Sequence, residues 1–386
     1  MENKPDKLII RTSDRQLFKR CRLQWHFSSK IRLDYEPLRA KLYFDFGTAW
    51  HAALAQWYEP STWAAASIEH RTVWAQQAFD FSLNNQLQLY RDRGIDDMEM
   101  EREFEEAMTL GPAMFDNYIP YSLEHDDFTP IRVEQEFEVQ IGWYVDSIVM
   151  YLGPHLDAWY ENLLPEPQAQ AIPIVYQGRV DALVQDLLGN YWIAEWKSAE
   201  KAPPESNRWL AMDAQVGSYA WAIQKMLGIP IKGVIHRTTL KRAPEPPKLL
   251  KNNQLSIDRR QYTSATLFAQ SVKQWEEMFG IPALDKYNEY LEFLASPDAP
   301  KFIYNEQVTR NPNQIANIGK WIAAEAQEML SDPDIYPSPS SINCNSCAFY
   351  GPSLAWQEGS DWQFILDSQF VKRSETIEQQ STAVLE

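Results

Sequence analysis

The chain has 386 residues, 45% of them hydrophobic, enough to bury a sizeable core in one large or two modest domains. Its formal net charge of −17 excludes a protein that coats nucleic acid with its whole surface, and no run approaches the ~20 apolar residues that span a bilayer. Three cysteines do not build a disulfide framework and the first residues lack the apolar stretch of a secretory signal, so the cytoplasm is the expected compartment.

Residues 1–42 carry eleven Lys/Arg against five Asp/Glu, a local basic excess in an acidic chain. Ser13-Asp14 reads as a helix start, with Leu17, Phe18, Cys21 and Trp25 following at helical spacing. A second helix contains Phe46 to Leu54, and 62–118 reads as mostly helical, with Trp74, Phe79, Leu83 and Leu87 as its apolar face. Few strands are expected in this first hundred residues. Arg132 to Ile141 alternates and reads as the first strand, and a helical or irregular piece over about 146–164 ends in the loop Leu164-Pro165-Glu166-Pro167.

Two strands follow, roughly 172–186 and 191–198, joined by a turn at Leu188-Gly189-Asn190. Residues 207–227 form a predicted helix closed by Gly228 and Pro230, and Ile231 to Leu240 a further strand. Ala243 to Lys248 is proline-dense and must be loop. Arg237 to Arg260 holds seven Lys/Arg against Glu245 and Asp258, a second basic stretch that suits either a solvated surface or a DNA-facing one. Helices over about 262–279 and 283–295, a strand near Lys301–Thr309 and a helix over about 313–330 complete the pattern, and the Pro/Ser-rich tail from Ser331 ends loosely. The expected fold is α/β, a central mixed sheet flanked by helices. The division is a helical front (1–130), a mixed core (131–310) and a helical C-terminal region (311–386), all in one compact unit.

On the strand 191–198, Tyr191, Ile193, Glu195 and Lys197 share one face, and Trp192, Ala194 and Trp196 the other. Both faces are apolar up to Glu195, so a charged pair ending such a strand needs compensation. The hairpin around Gly189 brings Asp181, fourteen residues upstream, beside Glu195. Two converging carboxylates repel, and a hard divalent cation with oxygen ligands resolves the repulsion. Lys197 could then hold the attacking water or neutralise charge on a phosphate. Taken alone, Glu-x-Lys is also an ordinary strand-end salt bridge. Gln215 and Tyr219, at i and i+4, share one face of the next helix.

Gly178-Arg179-Val180-Asp181, Glu195-Trp196-Lys197-Ser198 and Gln215-x-x-x-Tyr219, in this order, resemble the PD-(D/E)XK nuclease superfamily. More narrowly they resemble its RecB-type branch, which includes CRISPR-adaptation and phage exonucleases. That branch carries a Gly-x-x-x-His helical motif, matched by Gly47-Thr48-Ala49-Trp50-His51. By itself His51 reads as a core histidine; the resemblance makes it a metal ligand or near neighbour. A further glutamate on the preceding strand is matched by Glu134, with Glu136 a rival. The resemblance implies that His51, Asp181, Glu195 and the Trp196 carbonyl hold Mg²⁺ or Mn²⁺, that Lys197 assists the water, that Glu134 contributes catalytically, and that Gln215 and Tyr219 position DNA. Ser198 replaces the usual threonine and keeps its hydroxyl.

Some relatives hold a [4Fe-4S] cluster with one cysteine in front and three behind. Here Cys21 stands in front and Cys344-x-x-Cys347 behind, but Ser353 occupies the place of the fourth ligand, which argues against a working cluster and for a relic whose segments still pack together. Zinc with a histidine such as His26 finds no support in the spacing.

The resemblance implies a metal-dependent DNA exonuclease acting on single strands or duplex ends, in recombination, repair or phage DNA processing. No Gly-x-x-x-x-Gly-Lys-Ser/Thr motif is present, so unwinding would fall to a helicase, recombinase or single-strand-binding partner. The alternatives are a catalytically weak DNA-binding or assembly protein that keeps the fold, and a structure-specific endonuclease.

Overall fold

A computed structural model describes residues 6–39, 42–95, 97–145, 148–151, 171–204 and 208–373. The predicted segment 152–164 with its proline loop, and the loose tail beyond 373, lie outside these residues.

The hairpin β5 (Ile172–Asp186) and β6 (Tyr191–Ala199) forms where the alternation places it. Its turn is locked by Asp186, whose carboxylate accepts from the Leu188 and Asn190 amides and from the Trp192 indole, with Gly189 at φ 82°. That positive φ is costly for any residue with a Cβ. β6 then pairs in parallel with β7 (Ile231–Leu240), which pairs antiparallel with β8 (Ile303–Thr309). On the other side β5 pairs antiparallel with β3 (Phe128–Val145), and β3 with β4 (Ile148–Tyr151). The short strand β1 (Leu8–Arg11) runs parallel to the first half of β5 and completes, among the described residues, a seven-stranded mixed sheet.

Because β6 is apolar on both faces, the sheet is covered on both. Trp192, Ala194 and Trp196 pack into a helical block made by α3 (Leu42–Trp57), the short α4 (Pro60–Trp63), α5 (Ile68–Asp92) and α6 (Met98–His125), with Trp50, Phe79, Phe104 and Phe115 at its centre. Ile193 faces the opposite layer, where α7 (Ala214–Leu227) and α10 (Pro312–Leu330) pack with α1 (Thr12–Arg20) through Val216, Ile223, Ile318, Ile322 and Phe18. Between β7 and β8 the chain leaves the sheet to form α8 (Ala265–Phe279) and α9 (Leu284–Leu294) around a separate small core. No helix among the described residues is long and apolar enough to cross a membrane.

Several expectations need correction. The helix begun at Thr12 breaks at Cys21, whose backbone is extended, and restarts as α2 (Arg22–Ser28). The first strand of the chain is β1, not the 132–141 segment, which is itself longer on both sides. Residues 148–151, expected to be helical or irregular, are strand. The predicted helix from 207 is a short 3-10 turn, Arg208–Ala211, followed by α7 from Ala214. Trp74 does not join Phe79, Leu83 and Leu87 in the core; it is 36% exposed. The Pro/Ser-rich tail carries elements not individually expected: α11 (Ser341–Asn345), α12 (Tyr350–Glu358), α13 (Trp362–Gln369) and β9 (Phe370–Lys372) fold back so that β9 pairs with β2 (Tyr35–Pro37).

The basic excess of the front is engaged in ion pairs with distant acids. Arg15 and Lys19 meet Glu325, Lys7 meets Glu138, and Arg22 meets Glu328. Arg237, first residue of the second basic stretch, is buried against Asp126 at 2.6 Å and is no DNA-facing charge.

Candidate active site

The hairpin ladder runs from Gln185–Tyr191 to Ala182–Ala194 and stops one residue short of Asp181 and Glu195. There β5 and β6 part, and β1 takes the vacated edge of β5. Asp181 spans the fork: its Oδ2 accepts the Trp196 backbone N–H at 2.7 Å. Its other oxygen, Oδ1, lies 3.1 Å from His51 Nδ1, presented by α3.

Glu134 lies opposite Asp181, between the pairs Val133–Ala182 and Gln135–Val180. Its φ of 45° is left-handed, which a non-glycine residue adopts at a cost of about 1–3 kcal/mol. Arg179 holds it through an Nε–Oε2 contact of 2.7 Å. The rival Glu136 is exposed and pairs in register with Arg179 instead. At Gly178 an added Cβ would stand 2.5 Å from the Phe137 ring, so the glycine of this motif lets β3 and β5 pack closely.

One donor atom each from His51, Glu134 and Asp181 lie within 4.8 Å of one another, the one such grouping found among the described residues. Glu195 stands outside it. Its Oε1 is held by Lys197 Nζ and by Gln215 Nε2 at 2.7 Å, while its Oε2 is buried with no partner. Gln215 Nε2 also reaches Tyr219 Oη at 3.2 Å, and Asp213 fixes the start of α7 by accepting from the amides of Gln215 and Val216. Trp196 meets this grouping through its backbone N–H, which donates to Asp181.

Burial pushes the Glu195 carboxyl up to about 7, with the Asp181 charge adding to it and Lys197 opposing. Burial also lifts Glu134 to about 7, opposed by Arg179 and reinforced by Asp181. For Asp181 burial acts in the same sense, but His51, Lys197 and the Trp196 amide outweigh it and hold the carboxyl below its usual range. His51 and Lys197 are each disfavoured as cations by burial, yet the facing carboxylates raise both above their ordinary values. Three carboxylates crowded this way, one with an orphaned buried oxygen, form a donor set suited to a divalent cation.

The predicted residues thus converge: His51, Glu134, Asp181, Glu195, Lys197, Gln215 and Tyr219 all line one cleft. Two positioning residues were missed. Arg179 was visible in its motif but had no predicted partner, and Asp213 is an acid directly before a helix, a cap signal in its own right.

The cysteines lie elsewhere. Cys21 and Cys347 pack with Phe27, Phe349, Trp356 and Trp362 where α2 meets α12 and α13. Burial raises the Cys347 thiol, and Cys21 and Cys344 are near enough to affect it. All three thiols are free, Ser353 sits within α12, and His26 packs its ring edge-on to Trp356.

The family model of the PD-(D/E)XK nuclease superfamily matches residues 12–351. No curated protein matches the chain at a significant level.

Proposed function

Since the chain belongs to the PD-(D/E)XK nuclease superfamily, we propose that it is a Mg²⁺- or Mn²⁺-dependent DNA exonuclease of the RecB-type branch, working in the cytoplasm in recombination, repair or phage DNA processing. The observation that carries the chemistry is the His51–Glu134–Asp181 grouping with the Glu195–Lys197 pair beside it. His51, Glu134, Asp181 and the orphaned Glu195 Oε2 would hold the cation. When bound, it supplies Lewis-acid activation of water and neutralises charge on the phosphate.

The chain's own groups do the rest. Asp181 is ionised and fixed by the Trp196 amide, so its other oxygen, which faces His51, is presented with little rotational freedom. Lys197 stays protonated and can donate to a phosphate oxygen as negative charge grows there. Gln215 orients Glu195 and ties it to Tyr219, which faces the cleft. The site lies in a cleft of about 1670 Å³, which has room for a DNA strand.

End-labelled linear DNA incubated with EDTA, Mg²⁺ or Mn²⁺, beside covalently closed circular DNA, tests this reading. Expected is metal-dependent release of short products from the linear substrate alone, lost in Asp181→Asn. Cleavage of the closed circle would transfer the assignment to an endonuclease. No metal-dependent cleavage of either would leave a DNA-binding or assembly protein.

A further inference from the structure

The cleft extends well beyond the catalytic set. One wall is formed by α3 and by a stripe along α5 running from Trp74 through Gln77, Phe81 and Asn85 to Asp92. At 1.5 Å per residue this stripe is about 27 Å long. It is not the core face of α5, whose Ala75, Phe79, Leu83 and Leu87 are buried. Trp74 and Phe81 are 36% and 50% exposed, and on α3 the rings of Tyr43 and Phe44 are 42% and 58% exposed with centroids 4.1 Å apart. Exposed aromatics gathered on the wall of a functional cleft call for an occupant.

Charge narrows the choice. Among the described residues lining the cleft, Arg179 and Lys197 are the only Lys/Arg, and both already face carboxylates. A groove that grips a duplex by its phosphates uses on the order of six to ten cationic contacts. This wall offers flat rings and side-chain amides instead. Base faces are accessible in an unpaired strand and hidden in a duplex, and stacking on aromatic side chains tolerates any sequence.

We propose that the α3–α5 wall is a track for an unpaired DNA strand, whose bases stack on Trp74, Phe81 and the Tyr43–Phe44 pair while Gln77 and Asn85 meet their edges. This assignment rests on the nuclease reading and specifies its substrate. The track is continuous with His51, so a strand lying on it is delivered to the metal-binding carboxylates within the same cleft.

The test is fluorescence anisotropy with the full chain, in EDTA to prevent cleavage, using a 5′-labelled single-stranded oligonucleotide and the duplex of the same sequence. The single strand should bind more tightly. Trp74→Ala and Phe81→Ala should each weaken it roughly 5- to 150-fold. Phe81→Trp should restore binding, and Trp321→Ala, an exposed tryptophan on α10 outside the cleft, should leave it unchanged. Even if both cleft cations turned to phosphates, log K would fall against log salt with a slope no steeper than about −1.4. Duplex binding as tight as single-strand binding, no measurable single-strand binding, or alanine variants that melt and bind like the parent would each overturn the track.

Cleavage with Mn²⁺, measured on the same preparations, separates the two claims. Ring-dependent binding without any cleavage sinks the nuclease reading and keeps the track. Cleavage indifferent to strandedness, with binding indifferent to the rings, does the reverse.

Discussion

The carboxylate of Asp181 occupies the backbone position that a β-ladder would otherwise fill, accepting the Trp196 N–H where β5 and β6 separate. One oxygen completes the sheet and the other faces His51, so a single side chain joins fold and chemistry. Asp181→Asn keeps an acceptor for the amide but removes the charge. It should lower metal-dependent cleavage by at least about 100-fold, the upper end of what even indirect contacts to a metal contribute. The thermal midpoint in EDTA should stay near that of the parent, because the amide oxygen still accepts at the fork. Near-parental cleavage in this variant would remove Asp181 from the reaction.

Glu134 and Glu195 set the pH dependence. Both have folded-state values near 7, above the unfolded carboxylate at about 4.5. Between those values the unfolded chain has released protons that the folded chain still holds. Without metal, stability therefore falls as pH rises from about 4.5 through about 7. A divalent cation must displace the same protons, so its stabilisation should be small at pH 5.5 and reach a plateau above about pH 7.5. Thermal melts across this range with EDTA or Mn²⁺ check both signs, and a metal-induced shift equal at pH 5.5 and pH 8 would contradict the assignment.

Lys197 holds Glu195 through Oε1 and leaves Oε2 and the His51–Glu134–Asp181 donors to the cation. Lys197→Met should therefore spare metal-induced stabilisation while reducing the cleavage rate by roughly 10²- to 10³-fold, in the range of a lost electrostatic contact to the transition state. If the variant loses metal binding to the same degree as activity, Lys197 acts through the site's charge balance and not on the phosphate.

Much of this site was legible because its signals are local. The β5–β6 hairpin follows from alternation and a turn glycine, and Gln215 and Tyr219 from helical spacing. Glu134 was harder to separate from Glu136, since both lie on one strand with the same period. What distinguishes them is the left-handed backbone at Glu134, set by pairing across to β5. Trp74 was misplaced because it stands five residues before Phe79, off the core stripe, where hydrophobicity alone suggested burial. β1 is four residues long and pairs with a strand more than 160 residues away, a contact no local pattern encodes. The helices after Ser340 were hidden by their brevity and by the proline- and serine-rich stretch before them.

The buried pair Arg237–Asp126 supports the site from behind the sheet. Their side chains are 1% and 2% exposed, and Arg237 also donates to the hydroxyls of Tyr58 and Tyr118 at 2.9 and 3.0 Å. Tyr58 in turn donates to Asp126 and stacks on Trp196, the residue whose amide Asp181 accepts, with ring centroids 4.7 Å apart. Arg237→Met leaves the Asp126 carboxylate buried without its counter-charge, which should cost about 3–5 kcal/mol in urea denaturation. Combining it with Asp126→Leu removes the uncompensated charge and should recover most of that loss, because two well-packed apolar groups can replace a buried ion pair at little cost. A double variant no more stable than Arg237→Met alone would mean that the tyrosine hydroxyls, and not the ion pair, hold Trp196 against the sheet.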